Sequence, residues 1–493
     1  MLFNSYTFLL AFLPIVLMGY FLLSVYVRHT AALLWLAGAS LFFYSFWNVL
    51  YLPLILCSIL VNYFCGCLLQ REPLAAKVRT GTLWIGVLFN VFLLGYFKYA
   101  DFFVQNIHAL LGYDAALPGV VLPLAISFYT FTQIAYLVDS YKKLTQTRSL
   151  LEYGLFVLFF PHLIAGPIVH YRNLMTQFAD PNNKRIIYRN LNVGLYLLIL
   201  GLFKKVMIAD MFSQWTIGFD NNLTLTFFEA WFSALAYAFQ IYFDFSGYAD
   251  MAIGIALLFN IRFPKNFDSP YKALTIQDFW RRWHITLSNF LRDYIYIPLG
   301  GDRKGMVHGL INGMIIFLIG GLWHGASWTF VVWGALHGLG YVIFRLWSRF
   351  TKISLPKIIS WSITFGFVCV TWVFFRAKTL AQAFSIVSGM FGFNGVSLPS
   401  SLAHFFGQQP FVEGGWMIFS GTLYNIIPLI ENDIFFIYGF MIFALIVVIG
   451  TRNSTEIAES FTPTKWYFAK MLCLIITVLF SLNRVSEFIY FNF

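Results

Sequence analysis

The chain has 493 residues, 59% of them hydrophobic and 11% charged, with a formal net charge of +11. Water-soluble globular chains carry about 25% charged residues, so this composition and a mean hydropathy of +0.74 exclude a soluble enzyme or binding module. The basic excess fits lysines and arginines gathered in short loops at one membrane face. No separate basic domain exists to carry RNA or DNA, and no nucleic-acid partner is expected.

Only helices and closed barrels cross lipid, because backbone groups there find no water. The apolar runs are continuous and about 20 residues long, as a helix crossing about 30 Å requires. They are not the short alternating segments of a barrel. An all-α, polytopic transmembrane fold is therefore expected. The first run, "TFLLAFLPIVLMGYFLLSVYV" at 7–27, lacks a basic leader and an A-x-A-like cleavage site, and reads as a retained span. Further candidates are 31–50, 51–69, 82–100, 117–138, 151–171, 190–209, 225–243, 244–261, 306–323, 326–348, 357–375, 434–450 and 467–482. Pro161 and Pro167 interrupt "FVLFFPHLIAGPIVHY", which predicts a broken or re-entrant segment. Asp244 and Asp250 mark 244–261 as a candidate cavity lining. About ten to thirteen crossings are expected.

The basic loops 71–79, 142–148 and 184–189 contrast with the turn near 101–114, which places the N-terminus outside and those loops in the cytosol. Two stretches are not spans. Residues 262–305 mix basic, aromatic and polar side chains, and 380–432 reads as an interfacial or extracytoplasmic loop. Neither an internal repeat nor the matched, interrupted halves of a transporter is evident, so 1–493 is read as a single multi-spanning domain. Cys57, Cys65, Cys67, Cys369 and Cys473 lie in apolar spans without C-x-x-C spacing, and imply neither a disulfide framework nor a metal site.

Two motifs carry candidate chemistry. "GGLWHGASWTFVVWGALHG" at 320–338 holds two histidines and no formal charge. On one straight helix, His324 and His337 would stand roughly 140° and about 20 Å apart, too far to share a small site unless the helix breaks. Gly320, Gly321 and Gly325 bracket His324 and make a backbone break cheapest there. His337 reads as a packing residue bonded to a neighbouring helix. In "QDFWRRWHITLSNFLRDYIYIPLGG", a continuous helix would put Trp280, His284 and Ser288 on one face. Arg281 and Arg282 beside them suit phosphate or carboxylate groups. The same pattern also describes an amphipathic helix lying at the headgroups. Asp244, Ser246 and Asp250 suit either a substrate route or packing, and His162, His170 and Arg172 border the proline–glycine break.

"FWRRWHITLSNFLRDYIYIPLGG", followed about 40 residues later by "GLWHGASWTFVVWGALHG", resembles the membrane-bound O-acyltransferase (MBOAT) family. It is most similar to the AlgI-like branch of alginate and polysaccharide O-acetylation proteins, which is related to DltB. "FPHLIAGPIVHY", "YFDFSGYADMAIGIALLFNI" and the opening residues match that branch too. The resemblance implies an intramembrane funnel, with the family's near-invariant histidine at His324 and its second motif histidine at His284. It implies transfer of acetyl from a cytosolic thioester, such as acetyl-CoA, to an exported alginate- or cellulose-like polysaccharide. No cofactor is held permanently. The transfer is direct or runs through an extracytoplasmic SGNH-type partner, in the inner membrane of a bacterium. His324 is expected as general base, and Trp280, Arg281, Arg282, Ser288, Trp323 and Asp244 as substrate contacts. D-alanyl transfer to teichoic acid, and transport with the histidines as a proton relay, remain the competing readings.

Overall fold

The computed structural model describes residues 1–112, 117–147, 149–220, 223–396, 434–482 and 488–489. Among these the chain is helical and contains no strand. Eight helices are long and apolar enough to cross a bilayer, which makes this a multi-pass membrane protein. Four more, His29–Ser45, Ile126–Tyr141, Ile434–Gly450 and Lys465–Ser481, have 16 or 17 residues. At about 1.5 Å per residue these fall a few ångströms short of the roughly 30 Å apolar layer. Among the described residues the count by length is thus below the ten to thirteen expected of the whole chain, and two further causes are visible.

The first is a merger. The candidates 225–243 and 244–261 form one helix, Phe227–Leu258, of 32 residues. A capping box opens it: the Thr226 side chain and Glu229 satisfy each other's backbone donors. Asp244 and Asp250 do not interrupt it, because the adjacent helical turn supplies counter-charges. Lys205 Nζ lies 2.6 Å from Asp244 and Lys204 Nζ 2.6 Å from Asp250. Two glycine pairs bring this helix against Tyr188–Phe203. A Cβ on Gly194 would sit 2.7 Å from Gly254 O, and one on Gly201 2.5 Å from Gly247 O. Close backbone approach through small residues is the usual packing device between helices in lipid.

The second cause is the expected break at 151–171. Helix Leu150–Leu158 ends, a short turn Phe160–Leu163 follows, and the chain then runs without helix to His170. This stretch is buried, as irregular backbone at membrane depth must be. The basic loop 71–79 and the described part of the second, 142–147, meet at one end of the bundle, where Gln70 bonds Ser140 and Thr147 and Lys143 pairs with Glu72. That shared end is what a common membrane face for these loops requires. Of the segment 380–432, Leu380–Met390 is helical and residues 397–432 lie outside the described residues.

Candidate active site

His324 is the last residue of helix Met306–His324, and Gly325 leaves it in extended conformation, with φ −165° and ψ 152°. Ser327 then caps helix Trp328–Phe350 by accepting from Thr329 N. The motif is therefore a helical hairpin, and the assumption of one straight helix fails. Gly321 and Gly334 form its closest contact: a Cβ on either would lie 2.4 Å from a carbonyl oxygen of the other helix, Phe330 O or Phe317 O. Gly321 thus serves helix contact, and the break itself falls at residues 325–327.

The hairpin brings both histidines against one indole. Trp333 lies 5.2 Å from the His324 ring and 4.8 Å from the His337 ring. Their chemistry separates them all the same. Trp280 Nε1 donates to His337 Nδ1 at 3.2 Å, so that nitrogen accepts and Nε2 carries the proton. Nε2 then donates to Thr371 Oγ1 at 3.0 Å, and Thr371 donates on to Val368 O at 2.8 Å. Both nitrogens of His337 are used in packing, in agreement with the reading from sequence.

His284 approaches His324 from a different element. The one-face arrangement of Trp280, His284 and Ser288 on a continuous helix is not observed. The chain kinks between helices Ile276–Arg282 and Ile285–Leu291, and His284 sits at the kink with φ 44° and ψ 53°. A left-handed conformation at a residue with a bulky side chain costs about 1–3 kcal/mol and needs support from its surroundings. Asn266 gives that support. Its Oδ1 accepts from Thr286 N at 3.2 Å and from Thr286 Oγ1 at 3.0 Å, while its backbone O accepts from Ile285 N at 3.0 Å. A backbone N–H can only donate, so Oδ1 faces the kink, and His284 Nδ1, 3.2 Å away, must be the protonated nitrogen. The lone pair of His284 is on Nε2.

The His284 and His324 rings are 6.4 Å apart, and Trp323 touches both at 6.0 and 5.0 Å. Both imidazoles are at most 2% exposed. Beside His324 is a cavity of about 80 Å³ lined by Trp280, Ser288, Leu291, Phe317, Gly320 and His324, among others. The space admits a small group next to the His324 ring. A headgroup-lying helix for 276–291 is ruled out by this burial: Phe279, Trp283, His284 and Phe290 are all enclosed.

Comparison with known proteins gives the family. Residues 74–384 match the membrane-bound O-acyltransferase family, MBOAT. The chain belongs to that family. A peptidoglycan O-acetyltransferase of Helicobacter pylori is 44% identical across the whole chain and 98% of its own length. A probable alginate O-acetylase, AlgI, of Pseudomonas syringae is 41% identical over 80% of this chain and 76% of its own. A teichoic acid D-alanyltransferase of Bacillus subtilis is 28% identical over 52% of the chain and 69% of its own. The chain is an O-acyltransferase of the MBOAT type, and both motifs lie inside the matched region.

The other expected MBOAT substrate contacts divide. Trp280 and Ser288 line the cavity beside His324, and Trp323 bridges the two imidazoles. Arg281 is exposed, whereas Arg282 is held by both oxygens of Asp278 at 3.0 Å. Asp244 is not among the cavity residues; besides its pair with Lys205 it accepts from Ile489 N at 3.0 Å.

Sequence reading missed Asn266, which looks like an ordinary loop amide, and Lys98, which looks like the end of a span. It also missed a polar cluster at the proline–glycine break. There Tyr294 donates to Asp139 at 2.8 Å, and His170 Nδ1 lies 3.0 Å from the Tyr294 hydroxyl and 3.3 Å from Asp139. Only the π-helical turn Arg292–Tyr296, a backbone irregularity, could have flagged Tyr294, and sequence does not announce it.

Proposed function

We propose that this protein transfers acetyl groups from a cytosolic thioester, such as acetyl-CoA, to hydroxyls of a polysaccharide outside the inner membrane, with peptidoglycan as acceptor. The observation that carries the reading is the buried His324, which lines a small cavity and has the His284 ring 6.4 Å away. The acceptor hydroxyl oxygen attacks the thioester carbonyl carbon, and His324 takes the hydroxyl proton. The C–O bond forms, the C–S bond breaks, and the proton passes to the departing thiolate. Thioester and alcohol become ester and thiol. A positioned imidazole contributes about 10²–10⁴-fold to such a step.

His284, with its Nε2 lone pair, accepts from a hydroxyl and so orients the acceptor; this tautomer does not donate to an oxyanion from that atom. The acceptor is the sugar itself or the serine hydroxyl of an SGNH-type partner outside the membrane. The N-terminus is placed outside, and the joined basic loops at the cytosolic face.

Peptidoglycan is preferred over alginate because a relative named for that activity is 44% identical across the whole chain, whereas a probable alginate O-acetylase matches 80% of it at 41%. D-alanyl transfer is disfavoured by the cavity lining, which among the described residues includes no carboxylate to receive the alanyl ammonium. Purified protein in lipid nanodiscs, given radiolabelled acetyl-CoA with muropeptides or with alginate oligosaccharides, tests the reading. Label in muropeptides supports it. Label in alginate alone redirects it to an exopolysaccharide, and label in neither, with or without an added partner, rejects it.

A further inference from the structure

Helix Met306–His324 ends inside the protein, where the last four carbonyl oxygens of a helix need donors from elsewhere. Gly325 N–H supplies Gly321 O at 3.3 Å. The other three are met by two consecutive residues of helix Ala76–Leu111. Tyr99 donates to Leu322 O at 2.5 Å. Lys98 Nζ donates to Trp323 O, to His324 O at 3.2 Å and to Ser127 Oγ at 3.2 Å. Its three N–H groups thus meet three neutral oxygens, and it also lies 5.9 Å over the Trp323 ring.

Capping alone does not require a charge, as the neutral Tyr99 hydroxyl demonstrates one carbonyl earlier. Lys204 and Lys205, in another span, are each held by aspartates at 2.6–2.9 Å. Among the described residues Lys98 has no carboxylate partner. Besides Ser127 and the Trp323 ring, its described partners are the carbonyls at the negative end of the helix that terminates at His324, a site that favours a cation. Nζ of Lys98 therefore stands on the backbone of the proposed base with no described carboxylate beside it.

We propose that Lys98 is a positioning residue of the acyl-transfer site. Its ammonium fixes the end of the His324 helix and holds a positive potential where negative charge passes from the attacked carbonyl oxygen to the departing sulfur. Lys98 neither gains nor loses a proton during transfer; the proton moves from hydroxyl to His324 to thiolate as above. This inference rests on the acetyl-transfer reading, and its test separates the two.

The test compares Lys98→Arg, Lys98→Gln and Lys98→Met for acetyl transfer and thermal unfolding in nanodiscs. Gln keeps hydrogen-bond donors and removes the charge. The expected result is a loss of about 10²-fold in kcat for Lys98→Gln, comparable to losing one oxyanion donor. KM should stay within about threefold and the melting temperature within about 4 °C. Lys98→Arg should retain most activity. Folding is decoupled from charge by Lys98→Cys, modified after purification with an aminoethyl or a methyl thiosulfonate alongside equally treated wild type. Only the aminoethyl group should restore rate. Wild-type kcat in Lys98→Gln, or equal rescue by the methyl group, reduces Lys98 to a cap and overturns the proposal. A wild-type protein that moves no acetyl overturns the functional reading instead.

Discussion

Asn266 Oδ1 lies 3.2 Å from His284 Nδ1 and also takes both the backbone and side-chain donors of Thr286. One amide oxygen thereby fixes the tautomer of the imidazole, its orientation and the left-handed kink that presents it. Replacing Asn266 with leucine should free the ring and leave the Thr286 N–H unpaired. A loss of at least about tenfold in kcat is expected, with a destabilisation of about 1–3 kcal/mol. Steady-state acetyl transfer and thermal melting read the two effects separately. An Asn266→Leu protein with unchanged kcat contradicts the orienting role.

His337 should behave oppositely. Its nitrogens are committed to Trp280 and Thr371, and its ring stacks among Trp333, Phe317 and Phe279. His337→Phe keeps the ring volume but leaves Trp280 Nε1 without its acceptor, at a cost of about 1–3 kcal/mol. The melting temperature is expected to fall while kcat of the folded fraction stays within about threefold. A loss of kcat as large as that at His324 would show that His337 takes part in the chemistry.

Gly321 has no room for a side chain. An added Cβ would stand 2.4 Å from Phe330 O and 3.2 Å from Gly334 Cα, both backbone atoms that cannot step aside alone. Gly321→Val should force the hairpin apart, at about 1–3 kcal/mol or more. The yield of monodisperse protein after detergent extraction reports this, and wild-type yield and melting would refute the close contact.

Gly320, one residue earlier, faces the cavity. A Cβ there meets only Leu291 Cδ1, at 3.4 Å. Gly320→Ala should therefore fold normally, and Gly320→Leu should fill the space meant for the acyl group. The expected signature of the leucine variant is lost acetyl transfer at an unchanged melting temperature. Full activity would mean that the acyl group lies elsewhere.

The architecture was legible because lipid imposes length and apolarity on each span, and both are visible in residue order. In Phe227–Leu258, Asp244 and Asp250 read from sequence as marks of a cavity lining at 244–261; Lys204 and Lys205, which neutralise them inside one continuous helix, come from about 40 residues away in sequence. His324 and His284 were found through their motifs. The route by which they meet was not, since it depends on a break at 325–327 and a kink at His284 that helix periodicity conceals. Lys98 and Asn266 escaped for a related reason. Each matters only through partners distant in the chain, 226 residues for Lys98 and His324 and 18 for Asn266 and His284.

The central claim is that His324 moves the proton in acyl transfer, and one comparison tests it most directly. Wild-type and His324→Ala proteins, matched for folding by size-exclusion profile and thermal melting, are incubated with radiolabelled acetyl-CoA and acceptor in nanodiscs. A rate at least about 10²-fold lower in the variant, with an unchanged fold, is the result predicted. A correctly folded His324→Ala protein that acetylates the acceptor at the wild-type rate would contradict the account.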